Sequence, residues 1–249
     1  MSKELAQKIE ESVCVHVNLH QMDEYSIPEA PDLSVLIHRS RRARRLTLRV
    51  SSVDGRAKVT APDFISEAHI NAFILKNESW LREKLGAVPT LIDVTIGTRI
   101  QIEGQEYLLS SHSKRAVCLS DELLLVPERS SLPNRSVLAY LKELCRDRVT
   151  YWADLYTKKR GTQYTKVTLR DTRSRWGSCT DRGGLMFSWR LIMAPPAVLQ
   201  YVVAHEVAHL EEMNHSKAFW SITKGLYGEY SKERDWLRKN GASLHRFRF

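Results

Sequence analysis

Tyr201-Val202-Val203-Ala204-His205-Glu206-Val207-Ala208-His209-Leu210, continued by Glu211-Glu212-Met213-Asn214-His215-Ser216, is the stretch around which the chain reads. Its centre is His-Glu-x-x-His. Residues four apart share one face of an α-helix, so His205 and His209 can hold one cation between them. Glu206 sits beside that pair, where its carboxylate reaches water held by the cation rather than the cation itself. Pro195-Pro196 is a good helix start, because a proline in the first turn loses no intrahelical bond. Leu199, Val202, Val203, Leu210 and Met213 then recur at helical spacing and predict one apolar face. Glu206 falls inside that face, where an ionised carboxylate needs a partner such as a metal centre.

Asn214 tolerates the left-handed backbone that ends a helix, so the spacing predicts that His215 swings back as a third ligand. Zincins with a third histidine use the same separation but place glycine at the turn, where this chain has Glu212. The rival reading is a buried amphipathic helix with two chance histidines.

Outward from this helix, composition sets bounds. The chain has 249 residues, 43% of them hydrophobic and 27% charged, which is a globular balance long enough for one or two cores. No apolar run reaches bilayer-spanning length, so no membrane partner is expected. The start, Met1 to Lys8, has no apolar signal core, which predicts a cytoplasmic protein. Cys14, Cys118, Cys145 and Cys179 are far apart and read as free thiols. The net charge of +9 suits a phosphate-bearing partner, nucleic acid included. Much of it crowds into Arg39, Arg41, Arg42, Arg44, Arg45 and Arg49.

Residues 1–33 are weakly periodic, with a Pro28-Glu29-Ala30-Pro31 interruption, and read as a poorly ordered lead-in. Residues 34–130 read as a β-rich unit with one helix. There Leu46, Leu48 and Val50 alternate with Arg45, Thr47 and Arg49, and Asp54-Gly55 turns the chain into Ala57–Thr60. Ser66 caps a helix carrying Ile70, Phe73, Ile74, Leu81 and Leu85 to Gly86. Two further hairpins turn at Glu103-Gly104-Gln105 and Asp121-Glu122. Residues 131–249 read as the catalytic unit. A long helix from Pro133 has Leu138, Leu141, Leu144, Cys145, Val149, Trp152 and Leu155 on its buried side. Val167–Leu169 is a strand, and a hairpin from Arg173 to Ile192, with a strand from Leu185, leads into the His-Glu-x-x-His helix. An extended peptide can pair with such a sheet edge, and Gly177 would let its backbone come close. Ser231 caps a last helix, and the tail to Phe249 alternates phenylalanine and arginine as an edge strand does. The fold class is therefore α+β.

Ser174-Arg175-Trp176-Gly177-Ser178-Cys179, Phe187-Ser188-Trp189-Arg190-Leu191, Ala194-Pro195-Pro196, Tyr201–His209 and Asn214-His215-Ser216-x-x-Phe219-Trp220 together resemble the YgjP-like metallopeptidase family. Arg41–Val50 and Trp236-Leu237-Arg238-x-Asn240-Gly241 extend the likeness from about residue 36 to the end. SprT-like and WLM-type proteases, which act on proteins bound or crosslinked to DNA, are more distantly similar. The resemblance implies a zincin-like, minimal metallopeptidase domain with the active-site helix beside an antiparallel sheet. It implies His205, His209 and His215 as ligands and Glu206 as base.

The expected chemistry is zinc-dependent hydrolysis of a peptide or protein. Three imidazoles with an open position make a catalytic rather than a structural set, and manganese, iron or nickel fit the same count. Arg175, Trp176, Gly177 and Arg190 are candidates for substrate binding; Arg175, Arg190, Tyr230 and His245 are candidate oxyanion donors. Glu211, Glu212 and Glu229 are candidates to orient the histidines. A second reading is nucleoside triphosphate hydrolysis with Arg41, Arg42, Arg44 and Arg45 clamping phosphates. A third is a DNA-associated binding or protease module.

Overall fold

The computed structural model describes residues 23–27, 30–51, 54–86 and 90–249. The lead-in's residues 1–22 and 28–29, Cys14 among them, lie outside the described residues. The chain divides into two compact units, Met1–Val88 and Pro89–Phe249.

In the first unit a four-stranded sheet runs in the order β1-β2-β4-β3, built from β1 (Asp23–Ile27), β2 (Ala30–Arg39), β3 (Thr47–Val50) and β4 (Ala57–Ala61). The described part of residues 23–33 is thus strand, not lead-in. The period-two hairpin β3–β4 forms as expected, closed by Gly55 at φ 67°. The β2–β4 pair is parallel. Val35, Ala57, Val59 and Ala61 bury one sheet face against Ile70, Ile74 and Leu81. Those three belong to two helices rather than one, α1 (Glu67–Lys76) and α2 (Glu78–Gly86). Ser66 caps α1 by accepting from the His69 N–H. Asn77 breaks the run: its side chain donates to the Phe73 carbonyl at 2.7 Å, competing for the backbone as asparagine does.

The second unit opens with β5 (Ile92–Asp93), then two hairpins, β6 (Arg99–Ile102) with β7 (Gln105–His112) and β8 (Cys118–Ser120) with β9 (Leu123–Pro127). They join through a parallel β7–β9 pair in the order β6-β7-β9-β8. Ile100, Ile102, Leu109, Leu124 and Val126 bury their side chains in the same core as the long helix α3 (Pro133–Arg160). That shared core moves the boundary from the expected 130/131 to Val88/Pro89. The buried stripe of α3 is Val137, Leu141, Cys145, Val149, Ala153 and Tyr156; Leu155, expected inside, is 44% exposed. Gly161 ends the helix at φ 68°.

A three-stranded sheet follows, β10 (Lys166–Arg170), β11 (Gly177–Cys179) and β12 (Gly184–Ser188), in the order β10-β12-β11. The β11–β12 pair nearest the motif is antiparallel, and β10 joins β12 in parallel. The expected strand to Ile192 stops at Ser188, and Trp189–Met193 is a buried 3-10 turn. Helices α4 (Pro196–Ala208), α5 (Lys217–Tyr227) and α6 (Ser231–Asn240) come next. Tyr230, not Ser231, stands at the cap of α6. The short strand β13 (Phe247–Arg248) pairs with β5, so the tail packs as an edge strand. No described helix is long and apolar enough to cross a membrane. Cys118, Cys145 and Cys179 are free thiols.

Candidate metal centre and cleft

Helix α4 is buried almost all round: Val198, Leu199, Tyr201 to Ala204 and Glu206 to Ala208 are covered. A core helix of this kind has its backbone fixed by packing, which makes it a rigid mount for polar groups. It ends at Ala208 with His209 at the cap, one turn earlier than the sequence predicts. Met213, expected on the buried face, is therefore 52% exposed, at the lip of the cleft. Asn214 does not make a left-handed turn; the positive-φ residues other than glycine among those described are Glu103 and Asp121. His215 is set instead by the start of α5, where Ser216 caps the helix and accepts from the Phe219 N–H at 3.2 Å.

That cap also fixes Phe219, which is fully buried. Its ring centroid lies 4.8, 4.4 and 4.7 Å from those of His205, His209 and His215. Phenylalanine thus forms an apolar wall against all three imidazoles. In the sequence Phe219 shows only as part of the Asn214–Trp220 motif; its position three residues after the Ser216 cap is the signal that ties it to the site.

The ligand-capable nitrogens of the three histidines lie within 4.8 Å of one another, and His205 Nε2 and His215 Nε2 are 3.1 Å apart. Metal–imidazole bonds of about 2 Å bring tetrahedral ligand atoms to separations of this order. His209 Nδ1 is 3.0 Å from the Glu212 carbonyl, so Nδ1 carries the proton and the lone pair is on Nε2. Of the three candidate orienting residues, Glu212 acts through its backbone. Glu211 is paired with Arg160 at 2.7 Å and Glu229 with Lys224 at 3.2 Å. Burial pushes His205 down to about 3 and His209 below its ordinary range, so both are neutral donors at pH 7. This donor set fits a divalent cation.

Glu206 is 5% exposed, and burial pushes its pKa up to about 8, with the Arg175 charge drawing it back only in part. No hydrogen bond reaches its carboxylate from the described residues. Gly177 on β11 explains how the carboxylate fits. A Cβ there would lie 2.5 Å from Glu206 Oε1 and 2.7 Å from Cδ, well inside contact distance. The glycine makes room for the Glu206 carboxylate itself, rather than only for a substrate. Cys179, on the same strand, is pushed up to about 11 by burial and by Glu206, and stays a thiol.

Arg175, Gly177, Ser178, Cys179, Glu206 and the three histidines line one cleft of about 550 Å³. The other expected substrate groups do not line it. Arg190 is buried, with Nε and Nη2 on the two Asp171 oxygens at 2.7 and 3.1 Å and Nη1 on the Leu244 and Phe247 carbonyls at 2.8 and 3.1 Å. It anchors the C-terminal tail. Trp176 packs on that tail as well, its ring 5.3 Å from that of His245 and close against Gly241, where a Cβ would sit 2.9 Å from the indole. Tyr230 stacks on Tyr201 and Trp220. Arg41, Arg42, Arg44 and Arg45 belong to the first unit. There Arg41 pairs with Asp63 at 3.5 Å, and the other three line an exposed basic hollow with Arg49 and Lys58.

The family model described as YgjP-like, metallopeptidase domain, matches residues 44–240. The chain belongs to the YgjP-like metallopeptidase family. A metallopeptidase-family domain supports a metal-dependent hydrolase acting on peptide or protein; nucleotides and nucleic acid have no such support. No protein of curated function matches the chain significantly. Among solved structures, the metallopeptidase zymogen abylysin of Pyrococcus abyssi is similar over 41% of this chain and 99% of its own, at 17% identity and a TM-score of 0.34.

Proposed function

We propose that the chain is a peptidase in which His205, His209 and His215 hold a divalent cation, zinc by the chemistry of three imidazoles, and Glu206 is the general base. The observation that carries this reading is the convergence of three imidazoles beside a buried carboxylate in one open cleft. A cation held there supplies Lewis acidity, which makes water a nucleophile near neutral pH and polarises the scissile carbonyl. Glu206 takes the proton from the attacking water and hands it to the leaving amine. Gly177 gives the carboxylate the space to do so. The Phe219 ring keeps one side of the imidazoles dry, which strengthens every electrostatic interaction within the site. Arg175 is the candidate oxyanion donor that lines the cleft, where it can stabilise charge developing on the carbonyl oxygen.

The substrate chain lies along β11. Among the described residues one edge of β11 is unpaired in its sheet, and an extended peptide completes it through backbone hydrogen bonds. The test is Glu206→Gln. The variant should keep its metal, measured by plasma mass spectrometry, and lose turnover of an unfolded protein by roughly a thousandfold, the scale of a general base. Normal cleavage by the metal-loaded variant would refute the mechanism.

A further inference from the structure

A second hollow, of about 440 Å³, crosses the outer face of β10-β12-β11 and runs into the cleft. The two share Ser174, Arg175 and Ser178. Lys166 and Arg170 on β10 and Arg175 on the following loop give it three cations. No carboxylate lines it among the described residues. The nearby Asp171 is committed to Arg190. The loop is tied down where the two hollows meet, since the Thr172 hydroxyl donates to the Arg175 carbonyl at 2.8 Å.

Strands in a sheet are about 4.8 Å apart, so the groove from β11 across β12 to β10 is about 10 Å wide, and Lys166 and Arg170 stand about 13 Å apart along their strand. An extended polypeptide advances about 3.3 Å per residue, so three or four residues leaving the cleft beside Arg175 cross that width to Lys166 or Arg170 on β10. No aromatic ring lines the groove among the described residues. Single-stranded nucleic acid gains much of its affinity by stacking bases on such rings. The face offers charge without a stacking platform, which suits side-chain carboxylates.

We propose that this groove is a subsite for an acidic stretch of the substrate polypeptide, adjoining the bond to be cut. The proposal rests on the peptidase reading for its substrate but is tested without turnover. The probe is a fluorescein-labelled peptide containing four consecutive glutamates among alanines, with a glutamine counterpart. Binding is read by fluorescence anisotropy on full-length, zinc-loaded Glu206→Gln protein. The glutamate peptide should bind about tenfold more tightly, the scale that about three exposed ion pairs reach together. Lys166→Gln/Arg170→Gln should erase that preference. Lys142→Gln/Arg146→Gln, which removes the same charge from the exposed side of α3, should leave it intact.

Equal binding of the two peptides would overturn the proposal. So would equal loss in both double variants, which would mean attraction by net charge alone. A thymidine oligonucleotide of matching charge that binds more tightly than the glutamate peptide, and loses that affinity in Lys166→Gln/Arg170→Gln, would assign the face to nucleic acid and overturn it too. Failure of the peptidase reading appears elsewhere, as wild-type protein that leaves unfolded substrate uncut while the acidic preference persists.

Discussion

Glu206 and Arg190 are both charged residues buried in the second unit, 5% and 7% exposed, yet they live in opposite circumstances. Arg190 is satisfied from every side, by both Asp171 oxygens, by two tail carbonyls and by the Trp189 face 4.6 Å from its guanidinium carbon. Burial opposes ionisation of Asp171, but the Arg190 guanidinium outweighs it and holds the carboxyl below its usual range. Glu206 has no protein donor among the described residues, faces three imidazoles, and is pushed up to about 8 by burial. Fully paired buried charges serve as structure, because removing either partner strands the other. An ionisable group buried without a partner is pushed toward its neutral form, and such groups cluster where function needs a shifted pKa. Two residues that the sequence both offers to the site thus separate into a tail anchor and the proposed base.

That contrast can be broken in order of expected effect. After Glu206→Gln, the largest loss of turnover should come from Gly177→Ala. The added Cβ meets the Glu206 side chain from Cγ at 2.6 Å to Oε1 at 2.5 Å rather than backbone, so the carboxylate is displaced while the strand and helix backbones need not move. A displacement near 1 Å in a catalytic group lowers turnover on the order of a hundredfold. Melting temperature should hardly change, and a variant of wild-type activity would show that the close approach of Gly177 and Glu206 does not matter.

Arg190→Ala should act on stability. It strands Asp171 and two tail carbonyls, at about 3 kcal/mol, the lower end for a broken buried pair because Asp171 is half exposed. Urea denaturation measures this. Arg190→Lys should recover only part, since an ammonium cannot reproduce the planar fork. Unchanged stability in Arg190→Ala would remove the tail-anchor assignment.

The smallest effect is a pH slope. His245, against Trp176, is pushed down to about 4, first by burial and then by Arg190 and Arg173, with Asp171 opposing. An unfolded histidine titrates near 6.5, so between about 4 and 6.5 the unfolded chain binds a proton that the folded chain refuses. Stability should therefore fall as pH drops through that window. In zinc-loaded His245→Phe, the melting temperature should fall less between pH 6.5 and 4.5 than in the wild type. Equal slopes would contradict the assignment.

The sequence was most legible where interactions are local. Alternation with Asp54-Gly55, Glu103-Gly104 and Asp121-Glu122 located three hairpins, and the proline start with helical periodicity located α4. The parallel pairs β2–β4 and β7–β9 left no such mark, because they are closed by distant chain. The same holds for the unit boundary, which moved once Leu109 and Leu124 joined the α3 core. In the site, His205, Glu206, His209 and His215 stood out by spacing. Arg190 and Trp176 did not declare their direction: an arginine or tryptophan beside a motif reads alike whether it faces the cleft or the tail. Gly177 was visible as a glycine, but its neighbour Glu206 is 29 positions away in the sequence.

The central claim is that three histidines hold one cation. Its most direct test is zinc titration of the metal-free protein by calorimetry, in the wild type and in His205→Ala, His209→Ala and His215→Ala. The account predicts about one equivalent bound by the wild type, with marked weakening in each variant, since a catalytic site of this kind has three protein ligands. A wild-type protein that binds no divalent ion, or variants that bind as tightly as the wild type, would contradict it.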